Sequence, residues 1–272
     1  FLCNQKTASE WVIREGISDV CSSDLTPVFN ALTGSNQPTG EFLNMPGIVS
    51  GAVLVRDELL EWLREKYQPK KYTPARFDCL DVSALVRGDG SKGEFDMKVL
   101  NDVKQCDALA FVLRAFESDA VPHPRGSIDP DRDFTDAALE MQFSDLSTAA
   151  NRIDKLETQI KRFNRVEDKK ELEMMKRILA HLEAEKPLRD FPLSDEERKQ
   201  IRGFGFLTLK PWLKVYNVGE GQDRTVDATD SMALCATIEM EIAQMDEADR
   251  ADFFADLGIQ QPASERLAKL AY

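Results

Sequence analysis

Apolar residues recur at spacings 3, 4, 3, 4, 3 through Leu146, Ala149, Ile153, Leu156, Ile160 and Phe163, and again at 3, 4, 3 through Leu172, Met175, Leu179 and Leu182. A repeat averaging about 3.5 residues lays one apolar seam along a helix. Two such seams, interrupted near Asn164 to Lys170, predict two helices folded back as an antiparallel coiled-coil hairpin. Pro187 and Pro192 end the pair, and Ser194 with Glu197 forms a capping box that starts another short helix. From Asn151 to Lys186 there are ten basic and eight acidic residues, a local charge of +2 in a chain of −13, so the remainder carries −15. The hairpin is thus the part not repelled by a polyanionic partner, or else a solvated spacer whose seam buries itself.

On either side of the hairpin the pattern alternates helix and strand, which signals an α/β domain with a mainly parallel sheet. ALAFVL (Ala108 to Leu113) is apolar throughout and too short for a buried helix, so it reads as a central strand. ARFDCLDV through Asp81, PWLKVYN (Pro211 to Asn217) and SMALCAT (Ser231 to Thr237) are further strand candidates. VFNALTG reads as a short helix closed by Gly34, and RDELLEWLREKY as a helix with Leu59, Leu60 and Leu63 on one stripe. The 272 residues, 35 basic against 48 acidic, exclude a surface built throughout for nucleic acid; any such contact must be local. No apolar run approaches the roughly 18 residues of a membrane span, which points to a protein without membrane association. Five scattered cysteines without a C-x-x-C pair suggest neither a disulfide framework nor zinc, and fit a cytoplasmic location.

The opening segment stands apart. Residues 1–25 lack the n-region and h-region of a secretory signal, and REGISDVCSSDL (Arg14 to Leu25) resembles a translated sequencing-adaptor junction. They are therefore expected to be non-native and outside the fold, with the first strand and most of a phosphate loop missing. The alternative is a natural N-terminal strand and loop, with Trp11, Val12 and Ile13 as the apolar part.

Four loci fit the chemistry of a nucleotide site, none of them decisive alone. A phosphate-binding loop needs G-x-x-x-x-G-K-[ST] before a helix, because glycine amides cradle phosphate, lysine pairs with it and the hydroxyl holds magnesium. Only the hydroxyl is present, as Thr26; Leu25 stands where lysine would be. Asp81 ends an apolar strand, where a carboxylate facing the crevice holds magnesium through water, although many strands end in Asp merely to turn. Asn217-Val218-Gly219-Glu220 follows a strand where guanine-specific switches carry N-K-x-D; Val and Glu spoil guanine recognition, while an Asn amide can pair doubly with adenine, although an N-x-x-E segment is more often simply a turn. His123, between Pro122 and Pro124, follows the strand Ala108 to Leu113 and could orient a water, or is a surface histidine. His181 is assigned to a solvated helix face.

Taken in order, these segments resemble the Obg-like ATPase (YchF) family of translation-factor-like P-loop switches, from Thr26 to Tyr272. FNALTG resembles the helix after the phosphate loop. DVSALVRGDGSKGEF resembles the family's D-I-A-G-L-V-K-G-A-S-K-G-E-G segment, and DALAFVLRAFES, SIDPDRDF, FLTLKPWLKVYNVGE and MDEADRADFFADLGI follow in the family's order. The resemblance implies a P-loop NTPase domain, 26–143 and 191–272, interrupted by a helical insertion at 144–190. A terminal TGS domain is expected to be absent. It also implies a Mg2+-dependent ATPase in the intact protein, with ATP and the ribosome or a ribosomal subunit as partners, and no sequence-specific DNA binding. Thr26 and Asp81 would hold the ion and His123 would place the attacking water. Asn217, Val218 and Glu220 would face the base, with Cys235 and Ala236 in the loop that closes over it.

The departures matter as well. Ala84 replaces the glycine of D-x-x-G, Leu85 stands where other switches carry a water-orienting Gln, and Thr39 in NQPTGEFLNMPG is off register for a magnesium ligand. ATP affinity of the 272-residue chain is expected to be weak or absent. The competing reading, from a different class, is a non-hydrolysing scaffold with a vestigial pocket.

Overall fold

Every residue of ALAFVLR is buried, as a strand covered on both faces must be. The computed structural model describes residues 10–15, 25–34, 49–81, 97–118, 123, 126–222, 224–226, 229–246 and 261–271, with 250, 253, 254, 257 and 259 singly. ALAFVLR is β4 (Ala108–Arg114) of a six-stranded sheet that also contains β1 (Glu10–Glu15), β2 (Val49–Leu54), β3 (Arg76–Asp81), β5 (Trp212–Asn217) and β6 (Ser231–Leu234). The order is β2-β3-β1-β4-β5-β6, with β2 antiparallel to β3 and the other neighbours parallel. The α/β architecture and the four strands expected from their apolar runs are present.

The N-terminal expectation is corrected in part. Glu10–Glu15 forms a strand between β3 and β4, with Ile13 opposite Asp81 and Val12 opposite Leu109, so residues 10–15 lie inside the fold and its first strand is present. Parallel neighbours on both sides satisfy the strand's backbone groups, which explains why a six-residue segment holds this place.

One face of the sheet is covered by α1 (Leu25–Thr33), α7 (Ala236–Gln244) and α8 (Ala263–Ala271), through a core of Phe29, Leu32, Phe77, Val112, Val215 and Leu267 among others. Gly34 at φ +65° ends α1, its N–H donating to Asn30 O at 2.9 Å. Gly51 of β2 is needed for close approach: a Cβ there would lie 2.7 Å from Thr33 Cγ2 and 2.9 Å from Phe29 of α1. On the opposite face Phe111 packs edge-on against Phe134 and Trp212, with ring centroids at 5.4 and 5.2 Å.

Two helical expectations differ in detail. α2 (Glu58–Tyr67) is capped by Asp57, whose Oδ1 accepts from Leu59 N and Leu60 N, but its leucine stripe does not enter the core; no side chain of the helix is buried. The hairpin, which follows α3 (Met97–Gln105) and β4 in the chain, is α4 (Pro130–Phe163) and α5 (Val166–Glu183), so the break is shorter than expected, only Asn164 and Arg165. Asn164 takes the left-handed conformation, φ +52°, that a short polar side chain tolerates.

The chain forms two compact units, Phe1–Val99 with Cys106–Phe134 and Trp212–Tyr272, and Leu100–Gln105 with Thr135–Pro211. The segment 144–190, expected as an insertion, lies within the second unit, which begins earlier because α4 is continuous. Ile153, Leu156, Met175, Ile178 and Leu182 bury the hairpin seam, and Leu188, Phe191, Ile201 and Phe206 close over it. Arg152 pairs with both oxygens of Glu171 at 2.7 and 2.9 Å. The capping box of Ser194 and Glu197 opens α6 (Asp195–Ile201). His181 is not on a solvated face: its Nε2 lies 3.1 Å from Pro187 O and its ring 5.0 Å from Phe191.

Asp145 organises this second unit. Fully buried, it accepts from Leu207 N at 2.8 Å, Thr208 N at 2.7 Å and Thr208 Oγ1 at 2.7 Å. Burial outweighs these donors and pushes its carboxyl from 3.8 up to about 6. The folded chain therefore holds this proton more tightly than the unfolded one. Its contribution to stability is full below the unfolded value of 3.8 and is lost as pH rises through about 6. We expect 13C NMR to give an Asp145 titration midpoint near 6. Asp145→Asn should destabilise by about 1.5–3 kcal/mol in urea unfolding at pH 7, because an amide cannot accept all the surrounding donors.

Candidate functional site

β1, β3, β4, β5 and β6 run parallel, so their carboxyl ends share one edge of the sheet, the place where open α/β folds bind ligands. Asp81 ends β3 and is 4% exposed; Asn217 ends β5, opposite Arg114 of β4 and Leu234 of β6. Thr26 stands in the first turn of α1, the helix after β1, and is half-buried.

Asn217 is the structural centre of this edge. Its side chain is buried, and Oδ1 accepts from Ala236 N, the first residue of α7, at 3.0 Å. Its own carbonyl accepts from Ala115 N at 2.8 Å, and Val218 N donates to Leu234 O at 2.9 Å. The loops after β4, β5 and β6 are thereby tied together. The same bond narrows the expectation for adenine: Oδ1 already accepts from Ala236 N, so a double pair would have to use the second lone pair of that oxygen together with the Nδ2 donor.

The loop after β5 turns tightly. Gly219 N donates to Gln222 Oε1 at 3.1 Å, Gln222 N to Gly219 O at 3.1 Å, and Gly221 has φ +70°. Beside it opens a cavity of about 590 Å³ whose lining includes Val218, Arg224, Cys235, Ile238 and Arg266. Val218 and Cys235 thus share one cavity, whereas Asn217, Glu220, Ala236, Thr26, Asp81 and His123 are not part of its lining. Glu220 is exposed to solvent.

His123 is not a surface histidine. Its Nε2 lies 3.1 Å from Asp133 Oδ2, and the two side chains are only 7% and 9% exposed. The other oxygen, Oδ1, accepts from Arg132 Nε at 3.1 Å and Nη2 at 3.0 Å, while Arg132 also donates to Ser127 Oγ and Ser127 O. The neighbouring Asp131 accepts from Tyr216 Oη at 3.1 Å and from Arg224 Nη2 at 3.1 Å, with the guanidinium 4.1 Å above the Tyr216 ring. Burial, with the Asp131 carboxylate, raises the Tyr216 phenol above its usual value, so it remains a donor. The first turn of α4 therefore receives one side chain from the loop after β4 and two from the β5 strand and loop. SIDPDRDF held this information as a pattern, yet the pairing of Asp131 and Asp133 to particular partners had no local signal.

Ala84, Leu85 and Thr39 lie outside the described residues, as do Pro122 and Pro124. Among the described residues no group of three or more His, Cys, Asp and Glu side chains is arranged to hold a metal, and no helix is long and apolar enough to cross a membrane.

No family profile matches the chain. It is 32% identical over 281 residues to the ribosome-binding ATPase YchF of Bacillus subtilis (strain 168), which spans 96% of this chain and 75% of that protein. The chain belongs to the YchF family. The Haemophilus influenzae ribosome-binding ATPase YchF is 33% identical over 274 residues, 94% of this chain and 73% of its own length. Obg-like ATPase 1 of Oryza sativa subsp. indica is 33% identical over 168 residues, 62% of this chain and 43% of that protein. The solved structure of the Schizosaccharomyces pombe YchF GTPase superimposes with a TM-score of 0.77 at 20% identity, over 96% of this chain and 74% of that one, which shows the shared fold.

In this YchF chain the Asn217 bond is open to a direct test. Asn217→Ala leaves Ala236 N without its acceptor and should cost about 1–3 kcal/mol in urea unfolding. Asn217→Asp keeps an acceptor oxygen at the start of α7 and should cost clearly less. Equal losses would show that the bond contributes nothing to stability.

Proposed function

We propose that this chain carries the nucleotide domain of a ribosome-associated, magnesium-dependent ATPase switch. The observation that supports this most is the Asn217 to Ala236 bond, which joins two loops at the carboxyl ends of adjacent parallel strands in a chain of the YchF family. ATP as substrate and the ribosome as partner come from relatives named ribosome-binding ATPases.

The base end is Asn217, Val218 and Glu220 with Cys235 and Ala236. Asn217 Nδ2 donates to a ring nitrogen acceptor, a contact that both purines satisfy. Preference for adenine then rests on the second lone pair of Oδ1, which can accept from adenine's amino group, and on the absence of an Asp positioned for guanine's ring N–H and amino donors, since Glu220 is exposed. The phosphate end is the first turn of α1 and the end of β3. Thr26 and Asp81 offer a hydroxyl and a carboxylate, hard oxygen donors that fit Mg2+. The ion, when bound, neutralises charge on the phosphates. His123 positions water for attack on the γ-phosphate, in place of the Gln of other switches, and Asp133 anchors the imidazole.

The affinity of this chain is expected to be low, because in register with Thr26 both glycines and the lysine of G-x-x-x-x-G-K are replaced, by Asp19, Asp24 and Leu25. Asp19→Gly, Asp24→Gly and Leu25→Lys together complete that pattern in register with Thr26. Restoring the charge-assisted contacts should tighten Mg-ATP binding by about 10- to 100-fold in calorimetry, and should give hydrolysis that His123→Ala abolishes. Hydrolysis unchanged by His123→Ala would remove that residue from the mechanism. No Mg2+-dependent preference for ATP over ADP or GTP would favour the scaffold reading.

A further inference from the structure

α2 and the residues after it are anomalous in two ways. Leu59, Trp62, Leu63 and Tyr67 are 64, 50, 37 and 67% exposed, and Leu54 on the adjoining edge strand β2 is 60% exposed. Most large exposed apolar groups of a globular domain are scattered, so a concentration on one short helix marks a contact surface. The charge is equally uneven. From Trp62 to Tyr72 the basic residues are Arg64, Lys66, Lys70 and Lys71 and the only acid is Glu65, a local +3 on a chain of −13. Asp57, Glu58 and Glu61 sit at the other end of the helix, so the element is polarised along its length.

Cations and rings are interleaved within the basic end. Lys66 Nζ lies 4.4 Å from the Trp62 ring centroid and Arg64 Cζ 4.7 Å from that of Tyr72. Gln68, left-handed at φ +41°, and Pro69 stop the helix, so Lys70 and Lys71 follow it directly. We propose that this Trp62 to Tyr72 surface docks single-stranded or unstacked RNA, with bases stacking on exposed rings and phosphates pairing with Arg64, Lys66, Lys70 and Lys71. The alternatives fit less well. An anionic membrane would have to accept the acidic first turn along with the apolar stripe, whereas a single strand can engage the basic end alone. The inference is independent of the nucleotide reading, because α2 supplies none of the residues at the carboxyl edge.

The test is fluorescence anisotropy of a labelled mixed-sequence RNA of about 12 nucleotides, within the site sizes typical of single-strand binders, titrated with the full 272-residue chain. Trp62→Ala should weaken binding about tenfold or more through lost stacking. Lys70→Ala with Lys71→Ala should lower the slope of log K against log salt by about 1.4, the loss of two single-strand phosphate contacts. Since no side chain of α2 is buried, these variants should keep wild-type circular dichroism and melting temperature. Absence of saturable RNA binding at low salt, binding that both variants leave unchanged, or stronger retention on phosphatidylserine vesicles than on RNA would each overturn the proposal.

Discussion

A buried carboxamide oxygen accepting one backbone N–H ties together the carboxyl edge of the parallel sheet. Asn217 Oδ1 to Ala236 N spans 3.0 Å between the end of β5 and the start of α7, and it fixes both loops at once. An unsatisfied N–H in that place costs about as much as a whole hydrogen bond is worth, so the residue is constrained by folding before any ligand arrives. The constraint also decides the chemistry left over. With one lone pair of Oδ1 engaged by Ala236 N, the side chain keeps its Nδ2 donor and a single acceptor lone pair.

A second polar assembly surrounds the first turn of α4. Asp133 divides its oxygens between His123 and Arg132, and Asp131 divides its own between Tyr216 and Arg224. Adjacent carboxylates in a helix's first turn are favoured there by the backbone dipole. Each draws in a different loop, so the histidine after β4 and the loop after β5 are anchored to the same turn.

Much of the fold was legible because its strands are short, apolar and bounded by turn residues. ALAFVL and WLKVYN needed no more than that. β2 escaped because VSGAVL contains a glycine that serves the approach of α1, while β1 was legible only as the less favoured alternative of a strand at Trp11, Val12 and Ile13, because a six-residue strand is specified by its parallel neighbours on each side more than by its own composition. The α2 stripe had the right period but no partner to bury it, since periodicity reports which residues share a face and not what covers that face. At the site, Asp81 and Asn217 were readable as strand ends. The direction of the Asn217 carboxamide, the burial of His123 and its pairing with Asp133 depend on contacts far apart in sequence or on rotamers, and local patterns do not encode them.

Membership of the YchF family and the parallel sheet leave one placement to be tested: a nucleotide whose base lies at Asn217 and whose phosphates lie toward Thr26. A 15N NMR titration with Mg-ATP reads this in solution even when affinity is low. The Asn217 side-chain amide and the backbone amides of Ala236 and Thr26 should shift together along one saturable isotherm. Saturable shifts elsewhere in the chain, with those three signals unmoved, would contradict the placement and the function drawn from it.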